Sequence, residues 1–141
     1  MVPYDALSHH DLAKFVGNAG KTDEAIAWAE EALRLNPQGG DDFRWNLGFA
    51  YYLAGRPEDA LTEFEKVTPS FRAWRAPNVA AAYARLGRID EARAVIAEFR
   101  KGHPNYTLKD EANSPAGKEP QLVDRLQSAY LDDLRKAGMQ E

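Results

Sequence analysis

Cysteine is absent from this chain of 141 residues, and long apolar runs and an excess of basic residues are missing too. Without cysteine there is no disulfide, no thiol nucleophile and no zinc site built on thiolates. The longest uncharged apolar run, residues 47–55, is far shorter than the roughly 20 residues that span a bilayer, so we predict no membrane partner. Lys and Arg number 18 against 22 Asp and Glu, and the net charge of −4 disfavours nucleic acid, whose phosphates need clustered basic side chains.

The remaining composition is typical of a globular protein. Hydrophobic residues make up 44% and charged residues 28% of the chain, which suits one domain around one core. The opening residues, Met-Val-Pro-Tyr-Asp, are neither basic nor apolar, and they do not form a secretory signal. We therefore expect a cytoplasmic protein with a single domain over residues 1–141.

Residues able to carry catalysis or hold a metal form no recognisable pattern. The three histidines, His9, His10 and His103, are never four residues apart, the spacing that aims two imidazoles of one helix at a metal. Residues 17–22 resemble the end of a phosphate-binding loop, but Phe15 stands where that motif requires glycine. A Gly-x-Ser-x-Gly motif is absent as well. The sequence therefore predicts no enzyme, no cofactor and no metal site.

A repeated segment organises the chain. Gly20, Gly55 and Gly87 are each followed by an acidic pair and then an alanine, and successive glycines are 35 and 32 residues apart. Apolar residues at helical spacing lie before and after each glycine, which predicts a helix, a turn and a second helix. Glycine is the least strained residue for the left-handed turn that ends the first helix. Small residues beside these turns, among them Gly48 and Ala60, predict close packing of the paired helices.

The middle copy resembles the tetratricopeptide repeat, a unit of two antiparallel helices. Its residues 45–55 read Trp-Asn-Leu-Gly-Phe-Ala-Tyr-Tyr-Leu-Ala-Gly, and Glu-Asp-Ala-Leu follows at 58–61. The resemblance implies an all-α, right-handed α-solenoid with three such repeats, over residues of about 6–39, 41–72 and 73–106. The first copy is the weakest, because Gly17 and Asn18 stand where helix formers are expected.

The chain after the third repeat is predicted to close the array. Residues 107–120 lack apolar spacing and are interpreted as a loop, and residues 70–74 as a short irregular link. A helix is predicted over 121–137 as a cap on the last repeat, with about seven helices expected in all. Its charged residues, Asp132 and Asp133 among them, are expected to be solvated. Its predicted apolar face comprises Leu122, Leu126, Ala129, Tyr130 and Leu134.

The closing segment carries a second resemblance. It reads Asn-Tyr-Thr-Leu at 105–108 and Leu-Asp-Asp-Leu-Arg-Lys-Ala-Gly-Met at 131–139. Both stretches are similar to the end of the repeat regions in bacterial multidomain proteins classed as adenylate or guanylate cyclases. A cyclase catalytic domain does not fit within this chain. The resemblance implies a regulatory or scaffolding region of a larger signalling protein.

The resemblance to tetratricopeptide repeats also places candidate binding residues, because the first helices of these repeats line a concave groove. Aromatic side chains there would anchor a bound peptide or helix, and polar ones would orient it. We expect at least two of Trp45, Phe49 and Tyr52 to be exposed in the groove. The alternative is that they fill the core between neighbouring helices. The full set of candidate groove residues is Lys14, Trp45, Asn46, Phe49, Tyr52, Asn78 and Arg85.

These patterns predict a protein-binding module whose partner is a protein or peptide. The family's carboxylate clamp of Lys, Asn and Arg is matched only at Asn46, which argues against a chaperone tail as the partner. An alternative is a self-assembling scaffold, a homo-oligomer in which the weak first copy leaves an open end that stacks on a second chain. A small hydrolase or nucleotide-binding protein has the least support in the sequence.

Overall fold

The computed structural model describes residues 21–38, 40–113 and 124–141, and in these ranges the chain forms helices and no strand. The helices are α1 (Thr22–Leu35), α2 (Asp41–Leu53), α3 (Pro57–Glu65), α4 (Pro69–Trp74), α5 (Ala76–Arg85), α6 (Ile89–Gly102), α7 (Leu108–Asn113) and α8 (Asp124–Lys136). The predicted all-α class is therefore confirmed. The first predicted helix, which precedes Gly20, lies outside the described residues.

Two of the predicted glycine turns are present. Gly55 and Gly87 have φ angles of 78° and 79°, in the left-handed region that the sequence pattern required. After Gly55, the amide of Arg56 donates to the carbonyl of Tyr51 at 2.8 Å, which satisfies a carbonyl at the end of α2. Pro57 then begins α3, where its missing N–H is not needed. These local rules reverse the chain after α2 and after α5.

Neighbouring helices pack in chain order, as an array of helical hairpins requires. The pairs in contact are α1 with α2, α2 with α3, α3 with α5, and α5 with α6. The small residues predicted at these contacts, Ala25, Ala60 and Ala92, are fully buried. Gly48 of α2 also lies at a contact, since a Cβ at this position would be 2.5 Å from Cε1 of Phe64 in α3. The predicted α-solenoid is confirmed.

Replacing Gly48 by alanine is expected to lower the free energy of unfolding by about 2 kcal/mol, as overpacking of a dense core does. The added methyl would meet the Phe64 ring, which is 1% exposed and stacks on Trp45, so the ring has little room to move. Gly102→Ala is the control, because nothing lies within 4 Å of a Cβ there and alanine favours the helix. Urea denaturation followed by circular dichroism measures both variants. Equal stability of the two would contradict the close approach of α2 and α3.

Two short helices lie where irregular chain was predicted. The link over 70–74 is helical, because Pro69 occupies the first turn of α4. The predicted loop over 107–120 begins with α7, so that prediction is wrong for residues 108–113. A reciprocal pair fixes the start of α7: Thr107 N donates to Asp110 Oδ2 at 2.9 Å, and Asp110 N donates to Thr107 Oγ1 at 3.2 Å. Residues 114–123, which hold the rest of that loop, lie outside the described residues.

The last helix, α8, packs against α5, α6 and α7. On its predicted apolar face, Tyr130 is 3% exposed and Leu134 is fully buried, whereas Leu122 and the side chain of Leu126 lie outside the described part of the chain. One core cluster runs from Trp45 in α2 through α3, α5 and α6 to Met139, just after α8. The closing helix is therefore part of the same folded unit as the hairpins.

Candidate functional site

The predicted groove residues that the structure describes stand on α2 and α5. Lys14 lies outside the described residues, and Asn46 is half-buried on α2. The remaining five lie where α2 and α5 face α8 and are linked by contacts among them, and we call this region the α2–α5 groove. Its members are Trp45, Phe49 and Tyr52 of α2 and Asn78 and Arg85 of α5.

The expected exposure of the groove aromatics is wrong. Trp45 is 5% exposed and Tyr52 is 1% exposed, while Phe49 is half-buried. Trp45 stacks on Phe64 of α3 with ring centroids 4.0 Å apart. The ring of Tyr52 meets the ring of Tyr130 of α8 edge-on. The alternative interpretation, in which aromatic residues fill the space between helices, therefore applies to Trp45 and Tyr52.

A chain of hydrogen bonds crosses the groove from α2 to α8. Trp45 Nε1 donates to Asn78 Oδ1 at 3.3 Å, and Asn78 Nδ2 donates to the hydroxyl of Tyr130 at 3.0 Å. Tyr130 donates in turn to Glu111 Oε1 of α7 at 2.6 Å, and Tyr106 donates to Glu111 Oε2 at 2.5 Å. Asn78 and Glu111 are each 5% exposed, so these bonds satisfy polar groups that burial would otherwise leave unpaired.

A charged cluster joins the same helices. Asp133 of α8, 4% exposed, accepts from Arg85 Nε at 2.8 Å and from the hydroxyl of Tyr52 at 2.5 Å. Arg85 Nη2 donates to the same hydroxyl at 3.1 Å, and the guanidinium lies 4.4 Å from the centre of the Tyr52 ring. The groove therefore holds a carboxylate of α8 by an ion pair and a tyrosine hydrogen bond.

Three aromatic rings meet beside these polar contacts. Phe49 and Tyr52 are stacked with centroids 5.8 Å apart. The ring of Tyr130 stands edge-on to both, at 6.0 Å from Phe49 and 5.9 Å from Tyr52. Edge-to-face contacts of this kind favour a defined ring position. These contacts fix the position of the Tyr130 ring against Phe49 and Tyr52 of α2.

Burial raises the pKa of both tyrosines at this contact. The pKa of Tyr130 lies well above its ordinary value of 10.0, first because of burial and then because of the nearby Glu111. The pKa of Tyr52 is raised by burial and by the hydrogen bond to Asp133. Both hydroxyls therefore keep their proton at neutral pH and act as donors to carboxyl oxygens.

Two residues that complete the site were not predicted as site residues. Tyr130 was assigned to the apolar face of the last helix, and Asp133 to its solvated charges. The structure buries Asp133 on Arg85, so the expectation of a solvated charge is wrong there. The spacing in the sequence could have indicated this burial. Residues three apart share a helix face, and Asp133 lies three residues after Tyr130, which was placed on the apolar face.

The arrangement holds a helix by ring contacts, hydrogen bonds and an ion pair. Within the described ranges, acidic residues and histidine form no group of three that could hold a metal ion. No helix in that part of the chain is long and apolar enough to span a membrane.

Comparison with known proteins gives two family matches. A model described as tetratricopeptide repeat matches residues 18–86, and a second one of the same description matches residues 79–98. Together they run from α1 into α6. No curated protein matches the chain. Because the matched range ends before α7 and α8, the similarity of the closing segment to cyclase-associated regions stays a prediction.

Proposed function

The chain belongs to the tetratricopeptide-repeat family, whose repeats mediate contacts between proteins, and we propose from this premise that it binds a segment of a partner protein in the α2–α5 groove. The matched range includes α2 and α5, the two helices that form this groove. Trp45 and Tyr52 shape its floor. Phe49, Asn78 and Arg85 supply the contacts that a bound segment would meet.

The observation that carries the proposal is that a helix already lies on the groove. Tyr130 and Asp133 of α8 contact all three residue types that the groove offers, namely an aromatic ring, an amide and a guanidinium. A surface that recognises one helix by these contacts can accept another helix with the same pattern of side chains.

Part of this contact is polar, beside the apolar side chains of α8 that join the core. Arg85, Asn78 and Tyr52 each meet α8 through a hydrogen bond. Contacts between separable partners are more polar than the core of a domain. The groove groups that hold α8 are therefore groups that an incoming segment with matching side chains can also engage.

A photo-crosslinking side chain in place of Phe49 tests the proposal. Phe49 is half-buried and lies next to Tyr52 and Tyr130, so p-benzoylphenylalanine at this position would reach a segment bound in the groove. We expect irradiation of cells that express the chain to give a covalent complex with a partner protein, with the crosslink mapped to position 49 by mass spectrometry.

Tyr83 provides the matched control. It is another half-buried aromatic residue, but its ring lies under Arg88 and faces the cavity between α3 and α6. The same crosslinker at position 83 is expected to give no complex with that partner. A partner captured from position 83 and not from position 49 would place binding on the other side of α5 and contradict the proposal.

We also propose where the chain acts and what kind of protein it belongs to. A cytoplasmic location and a place within a larger signalling protein are supported by the composition and by the cyclase-like closing segment. In that setting the repeats act by binding and carry no catalytic step of their own. Stacking of a second chain on the first repeat stays a prediction, because the helix before Gly20 lies outside the described residues.

A further inference from the structure

Two side chains one turn apart carry the ring contacts, the hydrogen bonds and the ion pair of α8 with the groove, while the fully buried Leu134 adds apolar contact with the core. The ring of Tyr130 packs edge-on against Phe49 and Tyr52, and its hydroxyl accepts from Asn78. Asp133 pairs with Arg85 at 2.8 Å. The contact depends on the position of the residue in the helix, since the adjacent Asp132 has the same side chain as Asp133 but is exposed.

The ion pair determines which helix the groove can hold. The Asp133 side chain is 6% exposed, and Arg85, at 25%, is largely withdrawn from water by it. A helix with an apolar residue at this position would cover Arg85 without offering a counter-charge, which is strongly unfavourable. The groove therefore favours a carboxylate at this point.

We infer that α8 is an internal mimic of the partner segment, and that the partner is a helix with an aromatic residue and, three residues later, a carboxylate. This inference rests on the proposed function. The partner's two side chains take the places of Tyr130 and Asp133, so α8 must leave before the partner binds.

Tethering gives α8 an advantage over a partner with the same contacts. A segment joined to its own site by a short linker competes at an effective concentration on the order of millimolar. A free partner segment therefore fills the groove only when α8 is weakened or when the partner makes additional contacts. In this way α8 sets the threshold for binding.

A peptide of residues 124–141, labelled with fluorescein, tests the inference in an anisotropy titration against the full chain. In the Asp133→Lys chain, the new ammonium group faces Arg85, and repulsion expels α8 from the groove. The free peptide still carries its own Asp133 and can take the vacated place. We expect it to bind this variant at least about tenfold more tightly than it binds the wild-type chain.

Two matched controls accompany this titration. Asp132→Lys makes the same charge change on the exposed neighbour, and this chain is expected to bind the peptide as weakly as wild type does. A peptide with Asp133→Asn, tested on the Asp133→Lys chain, is expected to lose most of its affinity because it brings no charge to Arg85. Equal binding by the Asp133→Lys and wild-type chains, or equal binding of the two peptides, overturns the inference.

Circular dichroism shows whether the Asp133→Lys chain folds. If it does not fold, hydrogen exchange of the wild-type chain tests whether α8 leaves the groove. We expect the amides of α8 to exchange through an opening that leaves α5 and α6 protected. Identical protection in α5, α6 and α8 overturns the inference, because α8 would then never leave a folded groove.

The outcomes separate this inference from the proposed function. A partner crosslinked at position 49, together with no peptide binding, removes the inference and keeps the proposed function. Peptide binding with no protein captured at position 49 removes the proposed function.

Light scattering of the wild-type chain is expected to show a monomer. A dimer that excess peptide dissociates would place α8 in the groove of a second copy and overturn the internal arrangement.

Discussion

Trp45→Ala is expected to lower the free energy of unfolding by about 4 kcal/mol, as the loss of a large aromatic side chain from a core does. The Trp45 ring is 5% exposed, stacks on Phe64 and meets Phe71 edge-on at 5.6 Å, so its removal leaves a cavity between α2, α3 and α4. The indole also donates to Asn78, which would lose this partner. Urea denaturation followed by circular dichroism measures the loss.

Trp74→Ala is the control for this prediction. Trp74 of α4 is 63% exposed, and its substitution is expected to change the unfolding free energy by no more than about 0.5 kcal/mol. The two variants remove the same side chain from a buried and an exposed position. If the Trp45→Ala chain unfolds at the same urea concentration as wild type, then Trp45 is an exposed groove residue, as the repeat pattern first indicated.

Arg85→Ala is expected to lower the free energy of unfolding by about 3 kcal/mol, near the lower end for breaking a buried ion pair because Arg85 is partly exposed. The substitution leaves Asp133 buried without its counter-charge. It also removes a donor to the Tyr52 hydroxyl and the guanidinium above the Tyr52 ring. Thermal unfolding and urea denaturation both report this loss.

Arg88→Ala separates the effect of burial from that of the arginine itself. Arg88 also pairs with a carboxylate, Glu91, and also lies over a tyrosine ring, with its guanidinium 4.9 Å from the centre of Tyr83. However, the Arg88 and Glu91 side chains are 49% and 48% exposed, so the expected loss is below about 1 kcal/mol. Similar losses for Arg85→Ala and Arg88→Ala would contradict a special role for the buried pair.

The hairpin array was predictable because its determinants are local. Gly55 and Gly87 mark the turns through their backbone conformation, and Ala60 and Ala92 mark the contacts through their size, all within a short stretch of chain. The short helix α7 carried a local signal as well. Thr107 and Asp110 have the spacing of a helix-capping pair, but the surrounding polar residues favoured a loop.

The state of the groove was not predictable in the same way. Helical spacing places Trp45 and Tyr52 on one side of α2 but does not indicate what covers that side. The cover comes from α8, and amphipathic spacing alone cannot distinguish a helix that caps the last hairpin from one that also reaches the middle one. Asp133 illustrates the difficulty, since an acidic residue beside the exposed Asp132 is normally solvated.

The separation along the chain between the groove and its cover has a consequence for folding. The hydrogen bond from Tyr52 to Asp133 joins residues 81 positions apart, whereas the hairpins are built from near neighbours. Contacts between distant residues form late, because a long loop must close before they stabilise anything. A chain emerging during synthesis would therefore present a completed but still uncovered groove for a short time, and a partner already present could reach it before the closing helix exists.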